Sequence, residues 1–497
     1  MPESISLTGG RCRQVAFVIA AGAAAVLFAF LALPTIDFDE GYFFQAGVQA
    51  LQTGKPGFPW ADAVYGAPHL YIPLNSLDPL LNWQLAYLPQ QWWLPAGRSI
   101  SAVAVSLAVV MLLVFQGAAR PGWLRLAVCF FVATCLPLLL IGRVIRPDGI
   151  SFLGVCAALM LAFRPGRAAP FITGLVIALV VLAHVVHGVL ATAIVFGMIA
   201  WSPAASAGLR ARRLLLYGCG VALPVMLFYG VYGLIESPAT IWRDASGLLA
   251  AAPRSVSSLS PVENIVAWAG YISGQANVWP LLLFAGLAVS VPSGALAPER
   301  AVIRFLKAVI LCLLLFWIFL YPKKSYSIVV LLLPVAGIVL LSSRAAVWPV
   351  VARWGLVLCV AANTALALRY HWRLLHEPAA YAQLAPIVAE LDRQNVNRPQ
   401  AAIMGKLWLV FALRPDVTLW DITVFPSKLD RPSGSRHGID AAIRRSDAVV
   451  LERQEGGWID NQQTEIAKHL AQAGWRQVSV RTVRYFQPLE ARIFLPP

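Results

Sequence analysis

The chain has 497 residues, of which 59% are hydrophobic and 13% charged, with a mean hydropathy of +0.69 and a formal net charge of +15. A soluble globular domain carries about 25% charged residues, so the composition excludes that class and points to a polytopic α-helical membrane protein. Nor does the positive charge point to nucleic acid as a partner. The basic residues fall mostly in short links between apolar runs, where the positive-inside bias accounts for them.

Apolar runs near the bilayer-spanning length recur along the chain. About eleven spans are expected, at 15–34, 98–117, 126–142, 149–163, 171–184, 187–201, 214–234, 278–292, 308–321, 327–343 and 348–368. The first follows Arg11 and Arg13, has no clear small-x-small cleavage site, and reads as a retained helix rather than a signal peptide. The run 171–201 is broken only by His184, His187 and Gly188, and is expected to form two short helices meeting there. With the N-terminus inside, every inside link is basic: Arg120 with Arg125, Arg164 with Arg167, Arg210 with Arg212 and Arg213, Arg300 with Arg304 and Lys307, then Arg344.

This pattern predicts a membrane domain over 1–370 and a small C-terminal α/β domain over 371–497, lying outside the membrane's cytoplasmic face. The first outside loop, 35–97, is polar and aromatic, with surface helices expected near 42–53 and 75–88. Beyond 376, short apolar runs at 401–404, 417–420, 448–451 and 478–480 alternate with helical patterns such as 462–473, closed by Gly474. The seven cysteines, Cys12, Cys129, Cys135, Cys156, Cys219, Cys312 and Cys359, show neither a disulfide framework nor metal-ligand spacing, and read as small core residues.

The candidate chemistry lies on the outside. Ile36-Asp37-Phe38-Asp39-Glu40-Gly41-Tyr42-Phe43-Phe44 sets three carboxylates at the mouth of a membrane helix, where an unpaired charge costs a few kcal/mol or more. Asp39 reads first as a general base or acceptor-orienting group, with an N-cap for the following helix as the alternative. Glu40 suits an acceptor contact or a divalent-ion ligand, and equally complements the helix N-terminus. Arg143, Arg146, Lys323 and Lys324 sit in very short outside links, against the topological bias. A phosphate held at the membrane surface explains them, as does snorkelling to lipid headgroups. Asp148 beside Arg146 is a candidate substrate contact or a loop-fixing ion pair, and His69, Tyr71 and Tyr326 are further candidate substrate contacts. His184 and His187 have the i, i+3 spacing of a helical metal pair. With no third ligand nearby in sequence, they read first as a polar pair lining a cavity.

Phe38-Asp39-Glu40-Gly41-Tyr42-Phe43-Phe44-Gln45-Ala46-Gly47, followed by Leu51-Gln52-Thr53-Gly54-Lys55-Pro56, resembles the first outside loop of the C-type glycosyltransferases. The closest groups are the lipid A aminoarabinose transferases and the protein O-mannosyltransferases. Leu94-Pro95-Ala96-Gly97-Arg98-Ser99-Ile100-Ser101 resembles the Arg-containing start of their second span. Arg146-Pro147-Asp148 and Lys323-Lys324-Ser325-Tyr326 resemble their later loop motifs.

The resemblance implies a catalytic role for Asp39, a polyprenyl-phosphate-linked sugar as donor, and inversion at the anomeric carbon. It leaves open a lipid, glycan or protein acceptor. Many aminoarabinose transferases carry a Lys-Pro pair where this chain reads His69-Leu70-Tyr71-Ile72-Pro73-Leu74, so donor identity does not carry over. The carboxylates permit a divalent cation, Mg2+ or Mn2+, without demanding one. A transporter or lipid flippase and a non-catalytic envelope assembly factor are the competing readings, although the polar clusters sit at the outer boundary rather than at mid-membrane. Labelling of single cysteines placed at positions 39 and 323 should report both on the same side of the bilayer; opposite sides would rule out a shared pocket.

Overall fold

The structure, a computed structural model, describes residues 9–29, 38–54, 77–115, 123–162, 166–200, 206–242, 278–290, 297–319, 350–421, 443–454, 457–458, 461–484 and 487–497, with short pieces between them. The helices are α1 (Gly9–Ala29), α2 (Phe38–Thr53), α3 (Leu77–Ala86), α4 (Trp93–Phe115), α5 (Trp123–Thr134), α6 (Leu136–Ile141), α7 (Asp148–Ala162), α8 (Ala169–Ala183), α9 (Val185–Ala200), α10 (Ala207–Glu236), α11 (Trp279–Ser290), α12 (Ala297–Phe319), α13 (Val350–Leu375), α14 (Ala380–Arg393) and α15 (Asn461–Gln472). Among the described residues, three stretches are long and apolar enough to cross a membrane: Gln90–Leu112, Ala207–Leu234 and Val350–Arg393. Five further apolar helices are shorter, among them Asp148–Ala162, Ala169–Ala183 and Val185–Ala200. The expected span 327–343 lies outside the described residues apart from Val330, Leu332 and Leu333.

The expected helix 126–142 is corrected to two. Pro137 sits at the start of α6, where a proline is tolerated because the first-turn N–H groups have no intrahelical partner. Extended Cys135 separates the two pieces. Elsewhere the helices pack through small residues. A Cβ on Gly174 would lie 2.4 Å from Tyr217 O, and one on Gly220 would lie 2.3 Å from Phe171 O, so α8 and α10 cross at backbone distance. The other side of α10 shows Leu215, Leu223, Met226, Leu227 and Leu234, all exposed, as suits a face toward hydrocarbon.

The C-terminal residues form a six-stranded mixed sheet from β1 (Ala402–Gly405), β2 (Thr418–Asp421), β3 (Ala448–Gln454), β4 (Gly457–Trp458), β5 (Arg476–Arg484) and β6 (Gln487–Leu495). Its order is β2-β1-β3-β6-β5, with β4 paired to β3; β1 is parallel to both neighbours, and β3-β6-β5 is antiparallel. Strand β6 has no counterpart among the expected elements. Pro488 obscures its start, and pairing with the adjacent β5, Arg484 opposite Gln487, settles it.

The first-loop helix is also corrected. It is not a surface element: Phe43, Phe44, Ala46, Val48 and Ala50 are buried. The Phe44 ring lies 5.3 Å from Trp93 and 5.1 Å from Phe411. Gln45 Nε2 donates to Leu419 O at 2.6 Å, and Tyr381 OH donates to Gln90 O at 3.1 Å. Helix α2 is therefore the joint between the helical part and the sheet-bearing part. A Cβ on Gly47 would lie 2.5 Å from Asn82 C, where α2 meets α3. Gly47→Ala should destabilise by about 1–3 kcal/mol through overpacking, read as a lower midpoint of thermal unfolding in detergent. Gly218→Ala, which meets open space, should not lower it.

Candidate functional site

The site is built around the link from α6 to α7. Gly142 ends α6, and Pro147 directly precedes α7, its carbonyl accepting from Ser151 N at 2.9 Å. The link is pressed against α4: a Cβ on Gly142 would lie 3.1 Å from Val105, and one on Gly149 would lie 3.3 Å from Ser101 O. Every residue from Ile141 to Gly149 is buried. Snorkelling to lipid headgroups is thus excluded for Arg143 and Arg146, whose guanidiniums lie inside the protein.

Glu40 in the first turn of α2 and Arg98 on α4 make a two-pronged pair: Arg98 Nε donates to Oε1 and Nη2 to Oε2, both at 2.7 Å. Ile145 N donates to the same Oε1 at 3.0 Å. Both side chains are fully buried. Removing two charges from water costs several kcal/mol per ion, which only such geometry offsets. The pair thus ties α2, α4 and the 142–147 link to one another.

Arg146 Nε donates to Asp148 Oδ2 at 2.7 Å, and its guanidinium carbon lies 5.8 Å from the Phe43 ring centroid. Arg143 stacks on Tyr370 of α13 at 4.6 Å and donates to its hydroxyl. Among the described residues Arg143 has no carboxylate partner, and its Nε has no hydrogen bond. Three guanidiniums thus stand with two carboxylates, leaving one positive charge in excess among the described side chains. The other oxygen of Asp148, Oδ1, lies 3.8 Å from His187 Nε2, and the His184 and His187 rings stack at 4.2 Å. One ligand atom from each of Asp148, His184 and His187 falls within 4.8 Å of the others.

Of the residues expected from sequence, Glu40, Arg143, Arg146 and Asp148 come together here. The backbone of Asp39 lies in the first turn of α2, which begins at Phe38, so Asp39 is inside the helix rather than capping it; its side chain is outside the described ones. His69, Tyr71, Lys323, Lys324 and Tyr326 lie outside the described residues. Both oxygens of Glu40 are engaged, by Arg98 and by Ile145 N. Tyr370 was not among the expected residues, and nothing in the α13 sequence pattern separates it from an interfacial aromatic. The missing third partner for the histidines is Asp148, remote in sequence and brought in by the packing of α7 against α8 and α9.

No family model matches the sequence, and no curated protein matches it in sequence. In fold, the chain is similar to ArnT from Cupriavidus metallidurans bound to undecaprenyl phosphate, with a TM-score of 0.56 and 12% identity over 96% of this chain and 97% of that one. The two chains share a fold over nearly their whole lengths. The apo state of the same ArnT aligns with a TM-score of 0.44 and 13% identity, covering 96% and 97% of the two chains. The archaeal oligosaccharyltransferase AglB from Archaeoglobus fulgidus, in complex with an inhibitory peptide and a dolichol-phosphate, aligns with a TM-score of 0.48 and 11% identity, covering 88% of this chain and 69% of that one.

The buried Glu40–Arg98 pair makes a quantitative prediction. Glu40→Leu or Arg98→Met alone should cost about 3–5 kcal/mol by stranding a buried charge. The double variant Glu40→Leu with Arg98→Met should recover most of it in a thermal-unfolding double-mutant cycle.

Proposed function

We propose that this chain is an integral-membrane glycosyltransferase that moves a sugar from a polyprenyl-phosphate donor to an acceptor hydroxyl, with inversion, at the outer face of a bacterial inner membrane. On this reading the N-terminus is cytoplasmic, and residues 371–497 lie on the extracytoplasmic side. The observation that carries it is the buried guanidinium cluster at the foot of the helix bearing Asp39. The excess positive charge suits a phosphate, and Arg143 has a hydrogen-bond donor without a partner among the described residues. A fold shared with a protein bound to undecaprenyl phosphate supports a lipid phosphate as the anion, although fold alone does not fix function.

In the proposed reaction Asp39 takes the proton of the acceptor hydroxyl. The oxygen attacks the anomeric carbon from the face opposite the phosphate, and the bond from that carbon to the phosphate oxygen breaks. The electron pair leaves with the lipid phosphate, whose negative charge Arg143, Arg146, Lys323 and Lys324 stabilise. Glu40 holds the first turn of α2, and hence the backbone of Asp39, through Arg98. Asp148 orients Arg146. His69, Tyr71 and Tyr326 are proposed to line the sugar and acceptor cleft. The acceptor is a lipid, glycan or protein of the cell envelope.

Mass spectrometry of envelope glycans and lipids, comparing cells with and without the protein, should show one missing sugar. Asp39→Asn should lower its transfer by about 10²–10⁴-fold while leaving polyprenyl-phosphate binding intact. Replacing Lys323 and Lys324 with Gln should weaken that binding. Near wild-type transfer by Asp39→Asn would overturn the mechanism.

A further inference from the structure

We infer that Asp148, His184 and His187 form a binding site for a nitrogen-preferring divalent metal ion of the Zn2+ class. The inference does not depend on the transferase reading and stands or falls on metal binding alone.

His184 sits at the junction where α8 ends, and His187 follows in the first turn of α9. The junction turns the two rings parallel, 15° apart, against the N-terminus of α7, where Asp148 starts the helix. Asp148 and His187 are 1% and 2% exposed. Neither ring nitrogen of His187 has a hydrogen bond among the described residues, and neither do Asp148 Oδ1 and Ser151 Oγ, the latter one turn along α7. An unmatched buried polar group costs about 1–3 kcal/mol, and such groups in a native interior call for a water or an ion. Four unmatched atoms on residues of one cluster therefore indicate a polar occupant.

The donor set identifies its chemistry. Two imidazoles and one carboxylate are a transition-metal ligand set with positions left open. Mg2+ instead takes oxygen donors in a near-ideal octahedron. Tetrahedral Zn2+, with bonds of about 2.0–2.1 Å, sets its ligands about 3.4 Å apart. Small side-chain shifts bring the present cluster, within 4.8 Å, to that spacing. Asp148 is oriented for the task, since Arg146 holds Oδ2 and leaves Oδ1 toward the histidines. Ligating carboxylates are held by an outer hydrogen bond in this way.

The test uses the full chain in detergent, stripped with a chelator and then titrated with Co2+ or Zn2+. About one ion per chain is expected by elemental mass spectrometry, with the visible ligand-field absorption of Co2+ bound to nitrogen. His187→Gln and Asp148→Asn should each weaken uptake by at least about tenfold. The exposed His376→Gln should not. A large excess of Mg2+ should leave Co2+ bound. If His187→Gln fails to fold, His184→Gln serves in its place. Uptake well below one ion per wild-type chain, uptake unchanged in the ligand variants, or displacement by Mg2+ would each overturn the assignment.

Discussion

A carboxylate and a guanidinium with no access to water hold together three segments that are far apart in sequence. Glu40 and Arg98 meet through two hydrogen bonds of 2.7 Å, and the amide of Ile145 completes the set. In a low-dielectric interior such a contact has few alternatives. Any rearrangement that separates the charges leaves each one buried and uncompensated, at a cost of about 3–5 kcal/mol. Three segments far apart in sequence are thereby fixed to one another: the first turn of α2, the start of α4, and the link between α6 and α7. Asp39 shares that first turn, so its backbone inherits the position the pair imposes.

The same joint sets the relation between the helices and the sheet. Apolar residues of α2 face Trp93 on one side and Phe411 on the other. Gln45 adds a hydrogen bond to the carbonyl of Leu419, at the β2 strand. A helix with polar termini and a ring-bearing middle is well suited to this place, because both flanks offer apolar surface and its ends reach polar partners. The C-terminal part is thus packed directly onto the element that carries the candidate base.

Around this frame the charges are arranged in an order of decreasing internal compensation. Glu40 is fully engaged. Asp148 is engaged through one oxygen, with the second turned toward the histidines. Among the described residues, Arg143 is met by the face and hydroxyl of Tyr370 and by no carboxylate. Charge that the protein does not itself neutralise is where a ligand gains most, since water cannot screen it there. On the proposals above, an anion would pair with Arg143 and a cation with the second oxygen of Asp148, whose first oxygen Arg146 holds.

Composition and the spacing of apolar runs determined a helical membrane chain, and the helices at 93–115, 148–162, 169–183, 185–200 and 350–375 fall on expected runs, because burial in hydrocarbon is a property of a local window. Glu40, Arg143, Arg146 and Asp148, buried in the structure, stood out in the sequence for a related reason: a charge among apolar neighbours is conspicuous in one dimension. Their partners were not. Arg98 is 58 residues from Glu40, and Tyr370 is 227 residues from Arg143, distances over which the one-dimensional pattern holds no record of contact. Which side chain meets Glu40, whether α2 lies on the surface or between two layers, and which carboxylate lies beside His184 and His187 were decided only by helix packing. Side chains meet there because backbones cross closely at glycines such as Gly47, Gly174 and Gly220, and such crossings are set by the fit of whole surfaces rather than by any segment alone.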